Sequence, residues 1–248
     1  MVECGRMAKR HDARPRVRSR RYRAGGLLLA VLALGPIGFF AGSRAAEAAA
    51  GTPLPGTPAT PDEALAALRA GNQRFTTHKA TVRSKHALDQ IWAHNAKTQT
   101  PFASILGCAD SRVPPEIVFD QYLGDLFVVR EAGNSASAPP ILGSLEYGQA
   151  VLGSKLLIVL GHTSCGAVKA AFDHDKPGHN IQSVVDAIAP GIQGAKTVDD
   201  AVVANVRASI ERVRAQSDVL RDAEKDGKIK IVGAVYDIQT GAVRFLEP

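Results

Sequence analysis

The chain predicts an α/β fold, a mainly parallel central sheet flanked by helices. Three observations lead there. Four apolar runs, at 102–107, 125–130, 155–161 and 228–236, have the length and aliphatic content of buried strands. Helical stretches at 139–152, 166–173, 181–189 and 197–225 lie between them, an order that builds parallel sheets covered on both faces. The first and third runs lead directly into segments rich in Cys, His, Asp and Arg. In open parallel sheets, ligands gather at the carboxyl ends of the strands.

Each further element has its own signal. Thr60-Pro61-Asp62-Glu63 starts a helix, with a capping hydroxyl, Pro at the first helical position and acids in the first turn. That helix runs to about Phe75, with Leu65, Leu68 and Phe75 on one face. A second fits 84–95. Gly241 turns the chain into a last edge strand over 242–246.

The amino-terminal segment is read separately. Residues 1–23 carry nine Lys or Arg against two acids, a net +7, so the rest of the chain holds about −1 of the total +6. The basic pI therefore belongs to the leader, and nothing in the remaining domain argues for nucleic acid as a partner. An apolar run from Gly25 to Gly42 follows, then the small-residue exit Ala46-Glu47-Ala48. This order predicts an export signal over 1–48, and Ser19-Arg20-Arg21-Tyr22 resembles a twin-arginine signal. The expected location is periplasmic or otherwise exported, with membrane association only through that signal, as an anchor if it stays uncleaved. Residues 49–60 read as a flexible Pro/Gly/Thr linker and 61–248 as one catalytic domain. Removing 1–48 would leave two cysteines, Cys108 and Cys165.

Those cysteines stand in two motifs. Gly107-Cys108-Ala109-Asp110-Ser111-Arg112 follows the first strand, and Gly161-His162-Thr163-Ser164-Cys165-Gly166 follows the third. Two thiolates and one imidazole suit zinc with one coordination position open, the pattern of a catalytic site. A disulfide between the cysteines is the alternative in an oxidising compartment, though it has no use for His162, Asp110 or Arg112. Asp110 is either a fourth ligand in a closed form or the partner of Arg112. In the second arrangement it accepts a hydrogen bond from the water at the open position and favours zinc-bound hydroxide. A loop salt bridge is the plain alternative for that pair.

Together these motifs resemble the β-class carbonic anhydrases. The likeness runs over roughly 61–248 and includes Phe119-Asp120-Gln121, Gly124 through Arg130, Ala132-Gly133-Asn134 and Ser144-Leu145-Glu146-Tyr147. The resemblance implies reversible hydration of CO2 to bicarbonate and a proton, by attack of zinc-bound hydroxide. It implies one Zn2+ per subunit on Cys108, His162 and Cys165, and an Asp110–Arg112 orienting dyad. It also implies a narrow substrate pocket with Gln99, Phe127 and Tyr147; ordinary packing is the alternative for those three. A homodimer or dimer of dimers is expected, with the pocket completed across the interface and the first helix, 61–75, embracing the neighbour. One departure concerns a regulatory bicarbonate site of some bacterial members, which uses a Trp three residues before the first ligand Cys. That position here is Ile105, and the single Trp is Trp92. The open form, without a switch of that kind, is the expectation.

Other readings make different predictions. A CS2 or COS hydrolase would share the metal site and differ in pocket access. A non-catalytic zinc-binding protein would close the coordination sphere and leave Arg112 without a task. A dithiol redox protein would hold no metal, and the absent C-x-x-C speaks against it.

Overall fold

A computed structural model describes residues 51–247; the leader expected over 1–48 and the start of the linker lie outside the described residues. Residues 51–60 hold neither helix nor strand, in line with their Pro/Gly/Thr composition. The elements in order are α1 (Pro61–Thr76), α2 (Lys85–Asn95), β1 (Ala103–Gly107), α3 (Pro115–Val118), β2 (Leu126–Arg130), α4 (Pro139–Glu146), β3 (Leu156–His162), α5 (Gly166–Phe172), α6 (His179–Ile188), α7 (Val198–Gln216), α8 (Asp218–Lys225), β4 (Lys230–Tyr236) and β5 (Val243–Phe245).

The sheet order is β2-β1-β3-β4-β5, parallel except for the last strand. The chain leaves β1 toward one edge and β3 toward the other, so the crevice between their carboxyl ends is the topological switch point. The two central strands are buried along their whole length. In β3 the side chains alternate between two cores. Leu157 and Val159 join α4–α8, while Leu156, Ile158 and Leu160 join α1 and α3. Gly161 allows α7 to approach closely, since a Cβ there would lie 2.6 Å from a Val206 methyl.

Helix ends follow the expected chemistry. Thr60 and Glu63 form a reciprocal capping box at α1. The stretch read as one helix over 197–225 is two. Ser217 leaves helical geometry, and its hydroxyl caps α8 by accepting from the Leu220 N–H while donating to Glu146. The break turns Leu220 and Ala223 back into the core. The expected stretch at 139–152 is α4 followed by a wider π turn over Tyr147–Val151. The one-turn α3 is an addition to the expected elements.

The two edges of the sheet differ. The three-residue β5 caps one side. On the other, β2 leaves Leu126, Phe127, Val128 and Val129 only partly buried, an apolar edge of the kind that pairs or is covered. Near it, α2 has no buried residue, and Trp92 is 57 % exposed. By contrast α1 buries Ala64 and Leu68 completely in this chain's own core. Asn72 ties α1 down through bonds to the Val118 and Gly241 carbonyls and from the Val243 N–H.

Candidate active site

The switch point gathers the three expected ligands. Cys108 is the first residue past β1, His162 the last of β3, and Cys165 the residue that leads into α5. The turn between His162 and Cys165 is made by Ser164 in left-handed conformation, φ 55°. It points both ligands the same way. The donor atoms of Cys108, His162 and Cys165 lie within 4.8 Å of one another, and all three residues are buried. Both cysteines are free thiols.

The electronics suit a cation. The Nδ1–H of His162 donates to the Thr163 carbonyl at 2.9 Å, which leaves the Nε2 lone pair facing the sulfurs. That Nε2 is buried and, among the described residues, has no hydrogen-bond partner. A buried orphan acceptor is costly, and a metal ion would satisfy it. The Cys108 thiol is brought down to about 4 by the hydrogen bond from Cys165, helped by His162 and the Gly133 N–H, while the same pairing and burial push Cys165 up. Of the two sulfurs, that of Cys108 is therefore the one that favours negative charge. The residues present fit a Zn2+ ion.

Asp110 sits beside this cluster with both carboxylate oxygens engaged. Oδ1 accepts from the backbone N–H and Nε of Arg112, each at 2.9 Å, and Oδ2 accepts from Nη2 at 2.6 Å. Oδ2 lies 3.9 Å from His162 Nε2. The Arg112 hydrogen bonds hold the Asp110 carboxyl well below the usual carboxylate range. Arg112 is half-exposed and also reaches the Ser164 carbonyl at 3.4 Å, linking the two ligand loops.

Three supporting residues carry no role in the sequence reading. Arg130, at the end of β2, donates to the carbonyls of Cys108 and Asp110. Gly133 donates its N–H to Cys108 Sγ at 3.3 Å. Asn205, on α7, donates to the Gly133 carbonyl at 2.7 Å. The available signal for Asn205 was a polar residue within the apolar stripe Ala201, Val202, Val206, Ile210 and Val213.

The expected pocket residues lie elsewhere in the chain. Phe127 pairs in register with Ser104, four residues before Cys108. At about 3.3 Å per residue this sets it roughly 13 Å back along the sheet. The Tyr147 ring lies tilted beside it, with ring centroids 6.1 Å apart, and the residue is 41 % exposed. Gln99 and Tyr147 share an open groove with Asn95, Thr98 and Gly124. One chain thus groups Gln99, Phe127 and Tyr147 at the amino end of the sheet and the metal ligands at the carboxyl end. Ile105 is fully buried in β1 as a core residue.

Comparison with known proteins adds to this geometry. The carbonic anhydrase family model matches residues 103–243. Carbonic anhydrase 2 of Mycobacterium tuberculosis is 39% identical over 192 residues, covering 73% of this chain and 90% of that protein. The carbonic anhydrase of Mycolicibacterium smegmatis is 35% identical over 192 residues, covering 74% and 92%. Among solved structures, the Coccomyxa β-carbonic anhydrase in complex with acetazolamide is 29% identical with a TM-score of 0.52, over 67% of this chain and 87% of that one. A tetrameric β-carbonic anhydrase of Sordaria macrospora shares the fold, with a TM-score of 0.59 at 23% identity over 72% of this chain and 94% of that one. With its parallel sheet, its Cys-His-Cys cluster at the switch point and these relatives, the chain belongs to the β-carbonic anhydrases, the lyases that hydrate CO2.

Proposed function

We propose that this chain is a zinc-dependent, reversible CO2 hydratase in which Cys108, His162 and Cys165 hold the metal and Asp110 with Arg112 orients the reacting water. The observation that carries the reading is the buried Cys108–His162–Cys165 triad with its unpartnered Nε2, flanked by a carboxylate clamped on both oxygens. Bound Zn2+ would supply Lewis acidity, lowering the pKa of a water toward neutrality.

The chain's own residues do the rest. Asp110 is a poor proton acceptor because Arg112 holds its pKa so low. Its task is orientation. It accepts a hydrogen bond from a water O–H and so turns the oxygen lone pair toward the carbon of CO2. The oxygen–carbon bond forms as one C=O π pair moves onto oxygen, giving bicarbonate, and the proton released goes to solvent buffer. Arg112, anchored to the second ligand loop through Ser164, keeps Asp110 from turning onto the metal.

The pocket reading requires a second copy of the chain. Gln99, Phe127 and Tyr147 are too far back along their own sheet to face their own cluster, so they serve the site of a neighbour. The apolar β2 edge and the uncovered α2 are the surfaces that support such a dimer. α1 keeps an outward face for the arm role expected of 61–75, and the uncovered α2 shares that role. We also infer that 1–48 directs export and is then removed, which the mass of the mature protein from a secreting host tests. For the activity, the test is CO2 hydration by protein spanning 49–248, stripped of metal and reloaded. Restoration by zinc supports the reading, and no hydration in zinc-replete protein overturns it.

A further inference from the structure

We infer that Asn205 is a positioning residue of the metal centre, acting through Gly133 on the thiolate of Cys108; this rests on the reading of Cys108 as a zinc ligand. Asn205 stands in the middle of α7 and is fully buried. Its neighbours along the inner face of the helix are Ala201, Val202, Val206, Ile210 and Val213. An amide in such a stripe is a poor choice for stability alone. Among the described residues its Oδ1 has no hydrogen-bond partner, so the amide carries one unsatisfied buried acceptor along with the bond it makes. What the amide does provide is one buried hydrogen bond, from Nδ2 to the Gly133 carbonyl at 2.7 Å.

Gly133 is held on every side. Its φ of 76° is left-handed, which strains any residue with a side chain, and a Cβ there would lie 2.5 Å from Ile188 Cδ1, which would have to move. Its N–H points at Cys108 Sγ at 3.3 Å. The carbonyl held by Asn205 and the N–H donated to sulfur flank the same Cα. Fixing one therefore aims the other. A residue free to choose its conformation has no reason to stay in the left-handed region with its N–H on a sulfur, and Asn205 removes that freedom. Hydrogen bonds to a ligand sulfur set its charge and direction, and loss of such outer contacts costs about 10- to 100-fold in metal affinity or activity.

The test uses two variants and a control. Asn205→Leu keeps the number and branching of the side-chain heavy atoms and removes the donor, and Asn205→Ser leaves a hydroxyl too short to reach the Gly133 carbonyl. Ser209→Ala alters another buried, unpartnered polar group on α7, one turn on, that has no bond to the Gly133 loop. Zinc affinity is read by chelator competition, and the sulfur environment by the thiolate-to-metal absorption band of the Co2+-substituted protein. Circular dichroism of the metal-free proteins reports folding. We expect zinc affinity to fall about tenfold or more in both Asn205 variants, with a displaced cobalt band and a folded metal-free protein. Ser209→Ala should match wild type in affinity and spectrum. Zinc affinity within twofold of wild type and a superimposable cobalt band in the folded Asn205 variants would overturn the inference, even if their melting temperatures moved. If Asn205→Leu does not fold, Asn205→Ser decides. Wild-type protein that takes up no stoichiometric zinc would instead overturn the metal reading itself.

Discussion

The two ends of the sheet are built to different standards of completeness. At the carboxyl end, Cys108, His162 and Cys165 are buried and Asp110 is held on both oxygens. Backbone groups, Arg130 and Gly133 fix the ligand loops from within the same chain. At the amino end, Gln99, Tyr147 and Trp92 are exposed, Phe127 is on an edge strand, and α2 buries nothing. The difference teaches where one chain stops being sufficient. One chain alone brings the candidate ligands together, whereas the pocket, on our proposal, takes a second copy.

The sharpest break in this comparison comes from the ligands. Cys108→Ser or His162→Ala should abolish stoichiometric zinc binding and reduce hydration to the uncatalysed rate, while Tyr147→Ala should keep its full metal content. Elemental analysis beside stopped-flow hydration separates the two ends. Next in size is Asp110→Asn, which should keep zinc and lower hydration about 10- to 100-fold.

A charge on the uncovered arm tests the other end. Trp92→Glu should shift the protein toward monomer in sedimentation, lower activity and leave zinc bound, because the side chain is already 57 % exposed and holds nothing in its own core. A stable, fully active monomer would contradict the shared pocket. Gln99→Ala and Tyr147→Ala should have the smaller effect of raising KM less than about tenfold at constant zinc, as expected of groups that bind rather than react.

The smallest effect concerns acid. Asp110 has its pKa depressed from 3.8 by Arg112, so its contribution to stability is fully present above 3.8 and is lost as pH falls through its lower folded value. The stability difference between wild type and Asp110→Asn should therefore be flat from about pH 5 to 8 and shrink only in strong acid. A steep change near neutrality in urea titrations would show that another group controls the loop.

Much of this was legible in the sequence. The central strands announce themselves because strands buried on both faces must be apolar without interruption, as Leu156–Leu160 are. That Cys108, His162 and Cys165 would come together was legible because the chemistry of zinc is narrow and the strands end where they stand. The helix break at Ser217 was hidden, since a serine in a polar run looks like any exposed position until its cap is seen. The link between Gly133 and Asn205 was hidden for a stronger reason. Their hydrogen bond joins residues 72 apart, and no local pattern encodes it. The separation of Phe127 from Cys108 follows from strand register, which spacing along the chain does not state.

The most direct test of the central claim is stopped-flow CO2 hydration by wild-type protein spanning 49–248 and by Asp110→Asn, with zinc measured on the same samples. The account predicts one zinc per chain in both, fast hydration by wild type, and a loss of about 10- to 100-fold in the variant. Zinc-replete wild type with no hydration at neutral or alkaline pH, or a variant as fast as wild type, would contradict it.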